Sequence, residues 1–377
     1  MIPLFKVSMS EDVVNPVTEL LLSGYVGQGS KVDEFEELLA KNIGNPYINT
    51  VNSATSGLHL AIRQSNCWEG MEILTTPLTC LATNIPILGN CHDIRWVDVD
   101  LNTCNMDLDD LERKLSPKTG AIMVVHWGGY PLDLDRLKEI QDKCYNLYGH
   151  RPDIIEDCAH AWGATYKGKK LGNHGNTCVF SFQAIKHFTT VDGGCVVHPN
   201  KFAWEQGKKL RWYGLDRTKS AEYRCEQNVQ DWGYKFHMND LNATIGINNL
   251  PYAEERLQIH RDNGDFYNKQ LLGWSCRLRR EDGVTVLETS SADRESSYWI
   301  YTIRVKNRDG FIKMMTNKGI AVSRVHNRND EHDCMKNFKC ALPNLDELCN
   351  DMVSIPCGWW VTKEDREYIV ECIKQGW

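Results

Sequence analysis

Several features are missing from this 377-residue sequence, and each absence excludes a class of protein. No apolar run approaches the ~20 residues of a membrane-spanning helix. There is no basic block, and Asp+Glu (50) outnumber Lys+Arg (43), which argues against a protein that grips a nucleic-acid backbone. Cys-x-x-Cys does not occur, so tight structural zinc pairs and metal ligation are not expected. The opening Met1-Ile-Pro-Leu-Phe-Lys6 lacks the basic-then-apolar layout of a signal peptide. Repeats and low-complexity linkers are absent as well. The expectation is a cytoplasmic, non-membrane protein.

What is present is ordinary globular material: 42% hydrophobic and 25% charged residues. The length exceeds what one core usually supports, so two domains are expected. Fifteen cysteines, an odd number spread from Cys67 to Cys372, read as reduced thiols rather than a disulfide framework. The twelve tryptophans suit core and interface positions.

Apolar periodicity predicts helices over 31–41 and from Ser53. Ser30 and Asp33 are placed to form a capping box for the first. Beyond them strands and helices alternate. Strands are expected at Glu72–Thr76, Asp93–Val99, Ala121–Val125, Asp153–Glu156, Cys178–Phe182 and Cys195–His198. Helices are expected at Cys80–Leu88 and around 108–115 and 134–144. This alternation implies βαβ units and a mostly parallel α/β sheet. After about residue 255 the pattern changes: strands at Tyr298–Val305 and Ala321–Val325, helices around Gly310–Asn317 and Glu364–Lys374. The expected division is a large α/β domain over 1–255 and a smaller α+β domain over 256–377.

Ligands of such sheets bind beyond the carboxyl ends of the strands, and three features fall there. Asp157 closes Asp153-Ile-Ile-Glu-Asp157. Ser181 and Lys186 close Cys178-Val-Phe-Ser-Phe182-Gln-Ala-Ile-Lys186. Asn52-Ser-Ala-Thr55 opens a helix. Singly these read as a cap, a surface amine and a capping sequence. Together they match the needs of pyridoxal 5′-phosphate (PLP): a lysine amine, a carboxylate for the pyridine nitrogen, and amides and hydroxyls for the phosphate.

Five blocks resemble the DegT/DnrJ/StrS family of sugar aminotransferases, PLP enzymes of the type I, aspartate-aminotransferase-like fold. They are Gly27-Gln-Gly-Ser-Lys-Val-Asp-Glu-Phe-Glu36, Asn52-Ser-Ala-Thr-Ser-Gly-Leu-His-Leu-Ala61, and Ile155-Glu-Asp-Cys-Ala-His160 with Tyr166-Lys-Gly168. The others are Phe180-Ser-Phe-Gln-Ala-Ile-Lys186 with Asp192-Gly-Gly194, and Gly233-Tyr-Lys-Phe-His-Met238 with Asp240-Leu-Asn-Ala243. The resemblance runs from about Leu22 to Trp360.

The resemblance implies roles residue by residue. Lys186 is the cofactor lysine and proton shuttle, and Asp157 the partner of the pyridine nitrogen. His160 lies against the cofactor ring or its 3-hydroxyl. Ala54, Thr55 and Ser181 hold the phosphate. Lys235 or His237 completes that site from a neighbouring subunit, which implies a homodimer with shared active sites. A familiar version of the Gly233–Met238 block has Asn at its first position and Arg at its second, and this sequence departs at both. Cys80 stands where relatives often carry an aromatic that packs on the ring. Tyr25, Arg324 and His326 are the substrate candidates, a guanidinium being suited to pyrophosphate.

The implied reaction moves the amino group of L-glutamate to C4 of a nucleotide-linked 4-keto-6-deoxy sugar, in ping-pong fashion through pyridoxamine phosphate. The alternatives are amination at C3, a PLP-dependent sugar dehydratase, or a non-catalytic nucleotide-sugar-binding protein. The dehydratase branch carries His in the lysine slot; the spacing to Gly193-Gly194 puts Lys186 there, ahead of His187.

Overall fold

A computed structural model describes residues 1–219, 223, 226–275 and 283–377. Strands β1 (Ile48–Val51), β2 (Glu72–Thr75), β3 (Asp93–Trp96), β4 (Thr119–Val125), β5 (Asp153–Asp157), β6 (Thr177–Ser181) and β7 (Gly194–Val197) form one sheet. Their order is β1-β7-β6-β5-β4-β2-β3. Neighbours from β6 to β3 pair in parallel, while β7 pairs antiparallel with both β6 and β1. Six strands therefore point one way, and their carboxyl ends share an edge. β4 is buried at all seven positions, the near-continuous apolar pattern of a strand covered on both faces.

Helices α1 (Val14–Ser23), α2 (Ser30–Ile43), α3 (Ala54–Gln64), α4 (Leu81–Gly89), α5 (Leu108–Arg113), α6 (Leu134–Tyr148), α7 (Lys201–Leu210) and α8 (Asp240–Asn249) accompany this sheet. The apolar face read in residues 31–41 is buried in α2 at Val32, Phe35 and Leu39, Leu38 being half-buried, and Ile43 extends that face by a turn. The expected capping box does not form. Gly29 is the N-cap, without a side-chain bond. Instead the buried carboxylate of Asp240 accepts the Gly29, Lys31 and Val32 amides at 2.7, 3.4 and 3.1 Å. A distant acid satisfies the amides that a local cap would otherwise take.

The chain continues through α9 (Ala253–Ser275), β8 (Val284–Val286), β9 (Tyr301–Val305), α10 (Arg308–Asn317), α11 (Pro343–Asp351), β10 (Met352–Ile355) and α12 (Lys363–Gln375). β8, β9 and β10 form an antiparallel sheet in that order. The expected boundary at 255/256 falls in the first turn of α9. Two readings are corrected here. Residues 298–300 precede β9 rather than belonging to it, and 321–325 form no strand. Ser323 makes a single bridge to Ser354, and Val325 adopts φ +69°, which breaks extended pairing for a β-branched residue.

One apolar cluster joins both parts: Leu287, Trp299, Ile300, Met335 and Leu345 pack with Val51, Leu58, Trp96 and Val179. All thirteen cysteines among the described residues are free thiols; Cys225 and Cys276 lie outside those residues.

Candidate active site

β5 delivers Asp157 to the common strand edge as a buried residue. Its Oδ2 accepts the Thr83 hydroxyl at 2.8 Å and its Oδ1 the Ala159 amide at 3.0 Å. Because Thr83 donates to the carboxylate, Thr79 must donate to Thr83, at 2.7 Å. Thr83 lies in the first turn of α4. Burial raises the pKa of Asp157, opposed by those two hydrogen bonds and by the Lys186 charge. The acid therefore favours a further cationic donor.

The loop after β6 carries Lys186, half-buried, with Nζ 3.6 Å from the centroid of the Trp299 ring. Burial pushes its pKa down to about 8, against smaller upward pulls from Asp157 and Cys80. Cys80, the half-buried N-cap of α4, is thus beside the amine. His160 stacks on Trp299 with centroids 3.9 Å apart, and His326 lies parallel to His160 at 5.7 Å. Trp127 meets both imidazoles edge-on. His160 Nδ1 and His326 Nε2 are buried without a hydrogen-bond partner. Burial holds the His160 pKa well below the usual imidazole range and that of His326 at about 4, with the Lys186 charge adding in both cases. Both rings are neutral at pH 7.

The third element is the start of α3. Ser53 is its N-cap, and its hydroxyl accepts the Ser56 amide at 3.1 Å. The Ala54 and Thr55 amides precede the helical ladder, as first-turn amides do. Gly194 pairs with Val51 on one side and Ser181 on the other. A Cβ there would lie 2.6 Å from Phe180 O and 2.8 Å from Ala54 N, so glycine lets the helix start sit against the strand ends. Ser181 Oγ accepts the Gln183 amide at 3.3 Å. Strand-end acid, amine and the start of α3 therefore share one edge of the sheet.

A model of the DegT/DnrJ/EryC1/StrS aminotransferase family matches residues 7–374. The chain belongs to that family. It is 49% identical to AtS13 from Actinomadura melliaura, covering 100% of this chain and 99% of that one at a TM-score of 0.95. It is 46% identical to the sugar aminotransferase CalS13 from Micromonospora echinospora, with both chains fully covered and a TM-score of 0.94. A UDP-4-amino-4,6-dideoxy-N-acetyl-β-L-altrosamine transaminase of Campylobacter jejuni is 28% identical over 98% of each chain. The fold is the expected aspartate-aminotransferase-like α/β fold, and the protein is an aminotransferase.

The remaining expected site residues of this aminotransferase are more scattered. Lys235 and His237 lie beside the strand that leads into α3. Asn52 donates its amide to Phe236 O at 2.7 Å and its side-chain N–H to Lys235 O at 3.4 Å. Their side chains pack on Trp212, Lys235 Nζ at 4.6 Å and the His237 ring at 3.6 Å. Arg324 donates to Asn327 at 3.0 Å and lines a cleft of about 440 Å³ with Arg308 and His326. Tyr25 is 83% exposed and does not join the site within one chain.

Sequence reasoning missed Thr83, Trp127 and Trp299. Thr83 left a faint signal, a hydroxyl one turn into a helix beginning at a strand end. Trp127 follows β4 in the same manner. Trp299 left none, because its place depends on packing between distant segments. His126, Glu156 and Cys158 bring ligand-type atoms within 4.8 Å of one another. His126 Nδ1 accepts the Leu132 amide, so its Nε2–H donates to Glu156 at 2.9 Å, and Asn176 binds the other carboxylate oxygen at 2.7 Å. This is a satisfied hydrogen-bond network in the wall behind Asp157.

Proposed function

We propose that this aminotransferase uses PLP to move the amino group of L-glutamate to C4 of a nucleotide-linked 4-keto-6-deoxy sugar, in two half-reactions. One observation carries the reading. The buried acid Asp157 ends β5 and Lys186 follows the adjacent parallel strand β6, on the edge where α3 presents its first-turn amides. The names of relatives support a sugar acceptor: CalS13 is a sugar aminotransferase, and the Campylobacter relative is named for a UDP sugar aminated at C4.

The residues fit the cofactor on their own chemistry. Asp157 is a buried acid whose charge is not fully compensated, as a protonated pyridine nitrogen requires. His160 holds an unpartnered nitrogen for a ring substituent. Ala54, Thr55 and Ser181 offer two amides and two hydroxyls for a phosphate, and the missing Cβ of Gly194 leaves the helix start in place. PLP, when bound, supplies a carbonyl that combines with amines and a ring that accepts electrons. The chain's own part is positional and protolytic. Asp157 keeps its charge against the ring nitrogen, directed by Thr83 and Ala159. Lys186 carries a proton at Nζ, and its depressed pKa lets it serve as base and acid near neutral pH. His326 and Arg324 border the cleft where the sugar would enter.

The same reading includes a homodimer with active sites completed by Lys235 or His237 of the second copy, a cytoplasmic location, and the two-domain division near residue 255. The exposed apolar side chains of Leu22 and Trp232, 84% and 61% accessible, favour a covered face. The test is to offer the purified protein PLP, L-glutamate and a panel of nucleotide-linked 3-keto and 4-keto sugars, and to identify the products by mass and NMR. A 4-amino sugar is expected. A 3-amino sugar moves the position, a deoxygenated product without nitrogen makes the protein a dehydratase, and no product with any acceptor refutes the reading.

A further inference from the structure

Trp299 is held by an unusual piece of backbone. Tyr298, just before it, sits at φ +45°, a left-handed conformation uncommon for a bulky residue and sustained only where surroundings enforce it. The surroundings do so from several elements. His187 Nε2–H donates to Ser297 O and His260 Nδ1–H to Tyr298 O, each at 2.8 Å. Arg261 donates to Ser296 O at 3.2 Å. Ser297 hydroxyl donates to His160 O at 2.8 Å. Ser297 and Trp299 amides bond Gly129 O and Gly128 O at 3.1 and 2.8 Å. Gly129, at φ +95°, has no room for a side chain: a Cβ would meet Ser297 Oγ at 2.1 Å.

The turn sends neighbouring side chains into different cores. Tyr298 joins the cluster of β8, β9 and β10, and Trp299 the cluster beside Lys186. The indole N–H donates to Ile185 O at 2.9 Å, in the peptide preceding Lys186, and Phe5 stacks on the ring at 4.9 Å. The aromatic face lacking at Cys80 is thus present next to the amine, supplied by the segment before β9.

We propose that Trp299 is a positioning residue of the reaction: the strained turn at Tyr298 holds its indole against the Lys186 amine and fixes where that amine points. The inference rests on Lys186 being the reactive amine. A ring face attracts the ammonium form, while burial favours the neutral one, so the indole works with Asp157 and Cys80 against burial. The other titratable groups around the amine are Asp157, Cys80, His160, His187 and His326.

The test labels lysines of the full-length, cofactor-free protein with a small amine reagent across pH, following the Lys186 peptide by mass spectrometry. Trp299→Leu keeps an apolar wall and removes the ring face. Its Lys186 midpoint is expected about half a pH unit or more below the parent's, roughly a threefold change in proton affinity. Trp299→Phe is expected to restore the parent midpoint. A midpoint that stays or rises in Trp299→Leu, or falls equally in Trp299→Phe, overturns the inference. Trp299→Met replaces the Leu variant should that fail to fold. Borohydride treatment of the parent with PLP tests the underlying reading separately. A trapped adduct on a different lysine overturns the assignment of Lys186, whereas an adduct on Lys186 with an unmoved Trp299→Leu midpoint overturns only the role of Trp299.

Discussion

Asp157 and Lys186 show how one buried neighbourhood prepares two groups of opposite character. Burial raises the acid's pKa, so the folded protein binds that proton more tightly than the unfolded chain does. Stability of the cofactor-free protein then falls as pH rises from the ordinary carboxylate range through the raised value. Asp157→Asn removes the burden. Its melting temperature at pH 7, read by calorimetry without cofactor, is expected to rise by about 2 °C. Turnover is expected to drop by about two orders of magnitude or more. For Lys186 the sign is reversed, since burial lowers a base. Its neutral fraction grows about tenfold per pH unit up to about 8 and then saturates. The rate of PLP capture by cofactor-free protein, followed by stopped-flow absorbance, should trace that curve; a rise continuing to the ordinary lysine range would contradict it.

Among elements, the junction of β7 with α3 has the least tolerance. In Gly194→Ala the new methyl meets Phe180 O and Ala54 N well inside contact distance, and the helix start must shift. PLP affinity by equilibrium dialysis is expected to weaken about tenfold or more, one lost charge-assisted contact, with the circular dichroism unchanged. The other junction is Asp240 with α2. Asp240→Ala strands three amides, and urea unfolding is expected to show a loss of about 2 kcal/mol. These junctions also mark the limit of what the sequence makes legible. Periodicity placed α2 and α3 because those helices bury local stripes, and short apolar runs placed β4 and β5 because those strands are buried on both faces. A capping box at Ser30 was a sound local reading, but a carboxylate from α8 took the amides. A strand at 321–325 failed because Val325 turns into the left-handed region, which no apolar pattern encodes.

Over the whole molecule, Lys186 and Asp157 were legible for a topological reason. β5 and β6 follow one another among the strands of the large sheet and are parallel and adjacent in it, so residues at or past their ends come together without knowledge of the rest. Thr83 and Trp299 reach the same place from α4 and from the segment before β9, and only packing joins them. The proposed sharing of sites between two copies has its own check at this scale. Lys186→Ala and Lys235→Ala proteins, each expected to be nearly inactive, are unfolded and refolded together. Mixed dimers should regain activity that neither variant has alone, because one of their two sites carries both intact residues. Activity that stays at the level of the separate variants would place Lys235 outside the neighbouring site.

The reversed strand has a consequence for the order of events in a nascent chain. β1 touches the sheet only through β7, so β1, which leads into α3, has no strand to pair with until residues 194–197 have been synthesised and doubled back. Long-range pairing of this kind is slow to form. The loop that carries Lys186 lies directly before β7, so the strand that anchors β1, and with it the start of α3, is drawn into the sheet by the same stretch of chain that carries the amine.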